Sequence, residues 1–203
     1  MPNGDGLEMK TPWDVSSGAA LGARPVIRTA MDILSITSDE ADSEAFSRIL
    51  RSRWIYAPDS EVSDRAVMDI WIRENLGLSM GGKDFMRAMA ACKKASAPSF
   101  RERFGEVMAR RAADQELLPS DWATEFSEVL NIMGWPGNGE LDSANFQTLK
   151  AWDEALTLFR TLDGQLGSIS YTRAFMWLRE IVDTRQFQPR ILSLIHISDG
   201  ARE

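Results

Sequence analysis

Residues 142–162 read DSANFQTLKAWDEALTLFRTL, and the apolar positions Phe146, Leu149, Trp152, Ala155, Leu156, Phe159 and Leu162 recur every three or four residues. That is the period of an α-helix with one face turned to a core, here over about six turns opening at Asp142. Working towards the N-terminus, the turn WPGNG (135–139) cannot continue a helix. Before it, Trp122, Phe126, Val129, Leu130 and Met133 mark another helical stripe, with Ser120 as its cap and Gly134 as its stop. Towards the C-terminus, Gly164 and Gly167 interrupt the chain. Ser170 then caps a last helix through Ala174, Trp177, Leu178, Ile181 and Val182.

The first half of the chain carries the same period. Pro25 suits a first helical turn, and Val26, Ile27, Ala30, Met31, Ile33 and Leu34 follow it. A second helix carries Phe46, Ile49 and Leu50 behind the acidic run SDEADSE (38–44), whose carboxylates favour a helix N-terminus. After Pro58, Ser63 is the expected cap of a third, with Ala66, Val67, Ile70, Trp71 and Leu76 inward. Phe85, Met86, Met89 and Ala90 define a fourth. Ser99 and Glu102 have the spacing of a capping box opening a fifth, which bears Phe100, Phe104, Val107 and Met108. The sum is an all-α chain of about eight helices in a multi-helix bundle, with no substantial sheet. The only strand-like run is ILSLIHI at 191–197. Residues 1–24, rich in Gly, Pro and Ser, read as irregular and extended, and 25–189 as the helical domain, with a candidate subdivision at 113–119.

Composition agrees with a globular chain able to bury its own core: 203 residues, 44% hydrophobic and 26% charged. Cys92 is the only cysteine, which excludes an intrachain disulfide and a thiolate metal cluster and fits a reducing compartment. No stretch approaches the roughly 18 apolar residues that cross a bilayer, and residues 1–20 lack the order of a secretion signal, so a cytoplasmic protein without a membrane partner is expected. The net charge of −7 argues against a surface that is positive all over. Yet the charge is uneven. From Lys93 to Ala112 there are six basic and two acidic residues, and from Asp114 to Asp163 ten acidic and two basic. Lys93, Lys94, Arg101, Arg103, Arg110 and Arg111 are therefore either solvated helix-face residues or contacts to a DNA backbone.

Patterns that would carry catalysis are near-misses. GLSMGGKD (77–84) fits the phosphate-loop pattern except at Asp84, where a magnesium-binding hydroxyl belongs. The preceding DIWIREN (69–75) reads as a helix where that loop needs a strand. It is a glycine-rich connection with Lys83 in solvent. Asp59 follows Pro58 as in PD-(D/E)xK nucleases, but no D-x-K or E-x-K comes after it, and Glu8-Met9-Lys10 lies before it. His196, the sole histidine, has no visible orienting partner. Cys92 shares an apolar face with Ala88, Met89 and Ala95 and reads as a small core residue. Most tryptophans and phenylalanines fall on the helical stripes. Trp54 and Trp135, in or near loops, are the candidates for stacking on bases. No catalytic, cofactor or metal residue is assigned.

PWDVSSGAAL (12–21), PVI (25–27) and the helix ending MDIL (31–34) resemble the F-D-V-S-x-G-x-P-L … P-L-V … A-L-x-L-L stretch of the AddB/RecB-like exonuclease family. FSRILRS (46–52), Trp122 to Phe126, Leu130 to Gly137 with its GWPG turn, LDS (141–143), the Trp152 helix and FQP (187–189) resemble a probable DNA repair protein family of that group. The resemblance spans residues 12–189 and rests on structural signatures. It departs from the family at Trp13, where Phe is usual, and at Ala20, where Pro is usual. From 190 to 203, RILSLIHISDGARE reads as a non-family tail translated across a cloning or sequencing join. The resemblance implies a longer parent with a helicase-like body and a C-terminal PD-(D/E)xK nuclease. This stretch would be a helical insertion in the body, touching DNA and the parent's other domains and holding no cofactor. The alternative is a free-standing helical interaction module whose acidic half, 114–163, docks on a basic protein partner.

Overall fold

The computed structural model describes residues 18–37, 43–75, 81–110 and 115–188. They form an almost entirely helical structure, as the periodicity predicts. Strand β1 (Ala19–Ala20) and a short 3-10 turn (Leu21–Ala23) lead into α1 (Pro25–Thr37), α2 (Ser43–Arg51), α3 (Asp59–Asn75), α4 (Gly82–Ala91) and α5 (Pro98–Arg110). Strand β2 (Glu116–Leu117) precedes α6 (Pro119–Ile132), α7 (Ser143–Arg160) and α8 (Asp163–Leu166). Strand β3 (Ile169–Ser170), α9 (Tyr171–Thr184) and β4 (Gln186–Phe187) complete it. The strands form two antiparallel pairs only two residues long. In one, Ala19 faces Phe187 and Ala20 faces Gln186, so the segment expected to be irregular is tied in at its end. Leu21 is fully buried beside that pair. The other sets Leu117 opposite Ile169.

Helix α1 is the axis of the fold. Ten of its thirteen residues are buried, the polar Thr29, Asp32, Ser35 and Thr37 among them. Its polar side chains are satisfied locally: Thr29 Oγ1 donates to Pro25 O at 3.1 Å and Ser35 Oγ to Asp32 O at 2.8 Å. Asp32 accepts two 2.8 Å hydrogen bonds from Arg48 of α2. Two aromatic clusters contribute to the core. Phe46, Phe85, Phe104 and Phe100 join α2, α4 and α5, with centroids 4.5 Å apart for Phe46 and Phe85 and 5.0 Å for Phe85 and Phe104. Trp122, Phe126, Phe159 and Tyr171 join α6, α7 and α9. The Tyr171 hydroxyl donates to Leu34 O at 3.0 Å and also meets Thr37, so the second cluster is pinned to α1. No helix among the described residues is long and apolar enough to cross a membrane.

The largest departure from the apolar spacing is α3. It begins at Asp59, so Ser63 lies inside the helix and caps nothing. The predicted inward residues Val67 and Ile70 are exposed, Ile70 by 51%, and Ala66 joins them outside. Glu61, Arg65, Met68, Asp69 and Ile72 are the buried ones. Three of these five are charged, and two of the three meet the ends of neighbouring helices. Glu61 accepts the backbone N–H of Ser99 (2.9 Å) and of Phe100 (3.2 Å), capping α5 from outside that helix. The expected Ser99–Glu102 box is replaced by this remote carboxylate. One turn on, Arg65 Nη2 donates to Ile49 O and Ser52 O, each at 2.9 Å, closing the C-terminus of α2. Asp69, another turn on, lies 3.3 Å from Arg51 Nε and 2.9 Å from Arg73 Nη2. Glu61 and Arg65 have the sign that their helix ends prefer: an anion at an N-terminus, a cation at a C-terminus.

The same device recurs on α6, where Ser120 donates its N–H to Asp163 Oδ1 at 2.8 Å and its own side chain caps nothing. Two predicted caps do form: Asp142 accepts from Asn145 N at 2.7 Å and Ser170 from Arg173 N. Helix α7 is about five turns long, a turn shorter than predicted, and Phe146 at its start is 65% exposed. Trp177 also points outward, and Phe175 fills the core in its place. In α4, Met86 and Ala90 are exposed and Ala88 is buried.

Burial works against charge on Glu61, but the hydrogen bonds from Ser99 and Phe100 and the Arg65 guanidinium outweigh it and hold the carboxyl below its ordinary value of 4.5. A carboxyl depressed on folding stabilises fully above its unfolded value, and that contribution is lost as pH falls through the folded one. Glu61→Ala removes a helix cap and strands a buried cation, so urea unfolding at pH 7 should show a loss of about 2–4 kcal/mol; a loss under about 0.5 kcal/mol refutes the role. Between wild type and Glu61→Gln, the stability gap should be open at pH 7, begin to narrow below pH 4.5 and close as pH falls through the lowered folded-state value, where both side chains are neutral. A gap constant down to pH 3 would show that the charge on Glu61 contributes nothing.

Candidate nucleic-acid interface

The six cations singled out in the sequence lie on the α4–α5 connection and on α5. Cys92 and Ala97 are buried at the two ends of the connection, and Lys93 and Lys94 between them are exposed just beyond the C-terminus of α4. A cation there also suits the helix dipole. Arg101, Arg103 and Arg110 are on α5, and Arg111 lies outside the described residues. At about 100° per residue, Arg103 and Arg110 share a side of α5 while Arg101 lies nearly opposite. The stretch therefore does not form one basic face.

Their partners separate them further. Arg110 meets Glu125 through Nε at 3.2 Å and also meets Glu128, so its charge is answered by two carboxylates of α6. Among the described residues Lys93, Lys94, Arg101 and Arg103 form no ion pair with a carboxylate. Arg103 instead lies over the ring of Tyr56, 4.5 Å from its centroid, and donates to Tyr56 O at 3.4 Å. Arg53 lies 4.6 Å over the ring of Trp54. Arg53 and Tyr56 were not singled out from the sequence; the signal available there was RSRWIY (51–56), where two arginines are followed closely by two aromatics.

The two loop tryptophans are not open stacking platforms. Trp54 is only 9% exposed. Trp135 donates Nε1–H to Val26 O at 2.8 Å and packs edge-on against Trp152 at 5.7 Å. They wedge the 134–137 turn against α1 and α7. Several acidic residues of 114–163 have partners within the chain: Glu125 and Glu128 hold Arg110, Glu154 holds Arg185, and Asp163 caps α6.

The remaining sequence features are also located. Gly82 of the phosphate-loop near-miss is buried in the first turn of α4, where an added Cβ would lie 2.6 Å from Met108 Cε. Lys83 is exposed and Asp84 pairs with Arg87 at 3.1 Å. Asp59 opens α3, and Cys92 is buried as expected. His196 and Glu8-Met9-Lys10 lie outside the described residues. Among the described residues no three His, Cys, Asp or Glu side chains are grouped to hold a metal ion. An open cleft of about 370 Å³ on α9 is lined by Arg173, Met176, Trp177 and Glu180. No protein-family model, curated protein or solved structure matches this chain.

Proposed function

We propose that this chain is the helical insertion module of a larger, cytoplasmic bacterial DNA-repair protein of the exonuclease and helicase-like kind, where it shapes the path of DNA without performing catalysis itself. The observation that carries the reading is the set of cations around the N-terminal end of α5. Lys93, Lys94 and Arg101 are exposed with no carboxylate partner among the described residues, on a chain whose net charge is −7. Long cationic side chains left unpaired beside an acidic background are suited to phosphates, whose neutralisation releases condensed counterions. The resemblance over residues 12–189 gives the class of parent. Exposed apolar residues on separate helices, Ile70 on α3, Leu158 on α7 and Met176 on α9, are surface that neighbouring domains of a parent could cover. The acidic-module alternative draws less support, because Glu125, Glu128, Glu154 and Asp163 are engaged inside the chain.

Binding of a fluorescein-labelled DNA, followed by anisotropy between about 50 and 200 mM salt, tests the contact. The triple variant K93E/K94E/R101E should lose at least about tenfold in affinity, and the slope of log K against log salt should become shallower by about 0.9 for each lost duplex contact. Arg110→Glu alone should change affinity by less than about threefold, because the side chain is already paired on the surface. Unchanged affinity and slope in the triple variant would remove the contact from the reading.

A further inference from the structure

The loop at 52–58, helix α5 and the turn at 134–137 meet at one corner of the molecule. Gly134 and Gly137 have φ of +72° and +91°, which brings the turn's backbone against that loop. A Cβ on Gly134 would lie 2.6 Å from both Tyr56 Cβ and Arg103 Nη1, and one on Gly137 would lie 2.8 Å from Arg53 O. Tyr56 N donates to Gly134 O at 2.9 Å, so the backbone carrying the ring is held in place. Tyr56 nevertheless keeps 38% of its surface exposed, with Arg103 over one face. Neither Arg53 nor Arg103 has a carboxylate partner among the described residues, and Arg103 commits one of its five donors to Tyr56 O.

We propose that this corner binds single-stranded nucleic acid, with a base stacking at Tyr56 and the adjoining phosphates held by Arg53 and Arg103. Ring and cation together are what an unpaired strand requires: every base has a face to stack, and every linkage carries a negative charge. A duplex keeps its bases stacked on one another and offers such a ring nothing. Holding the ring and guanidinium in place beforehand lowers the ordering cost of binding. The inference deepens the nucleic-acid reading above and rests on it, adding Arg53 and Tyr56 and a preference for the unpaired strand.

The test compares a fluorescein-labelled oligothymidylate with a duplex of equal length, using the whole chain and checking each variant's fold by circular dichroism. Wild type should bind the single strand more tightly. Tyr56→Ala should lose about tenfold in single-strand affinity with its salt slope unchanged, and Tyr56→Phe should retain affinity. Arg53→Ala, at an exposed position where folding is not at stake, should weaken binding and make the slope shallower by about 0.7. If Tyr56→Ala and Arg53→Ala bind oligothymidylate as wild type does while K93E/K94E/R101E fails, the corner is refuted and the phosphate reading stands. If wild type binds neither probe, both fall.

Discussion

The pair Glu61 and Arg65, one turn apart on the buried side of α3, is the interaction on which the first half of the molecule depends. Two charges in a core cost several kcal/mol each in lost hydration, and apolar replacements of similar size are often no less stable. Here each charge meets backbone groups that would otherwise be unpaired. Glu61 takes two N–H groups at the start of α5, and Arg65 takes two carbonyls at the end of α2. Burial pulls the Arg65 guanidinium down to about 10, with Glu61 opposing that fall, and it stays charged at neutral pH. It also lies 5.1 Å over Phe100, so the same side chain touches the helix that its neighbour caps.

This arrangement sets the position of the candidate interface. Capping by Glu61 fixes where α5 begins, and with it the direction in which Arg101 and Arg103 project. Arg103 is thereby delivered to Tyr56 and the 134–137 turn, whereas Arg110, two turns later, is delivered to Glu125 and Glu128 of α6. One helix therefore carries at its middle an arginine with no carboxylate partner among the described residues, and at its end a neutralised one. The run of six basic residues in the sequence is divided by the helix into groups with different partners.

Remote caps also explain why the face of α3 departs from its apolar spacing. Apolar spacing assumes that a core accepts only apolar side chains, and α3 breaks that rule where Glu61 and Arg65 serve the ends of other helices and Asp69 meets Arg51 and Arg73. Val67 and Ile70 are turned outward as a consequence. The stripe on α6 was fully legible, from Trp122 to Met133, because all five of its predicted residues are apolar and buried.

The sequence by itself determined the all-α class, the approximate number of helices, their breaks at Gly and Pro, the caps Asp142 and Ser170, and the burial of Cys92. These are local matters: a period of 3.6, a hydroxyl or carboxylate three residues from an open N–H, a residue that cannot continue a helix. Only the tertiary structure decided that Glu61 and Asp163 cap helices 38 and 43 residues away, that Arg110 meets carboxylates while Arg103 meets none among the described residues, and that Arg53 and Tyr56 stand beside Arg103. A capping carboxylate or a stacked cation is defined by what lies across a gap in space. No local pattern in the chain specifies which distant helix end will arrive there.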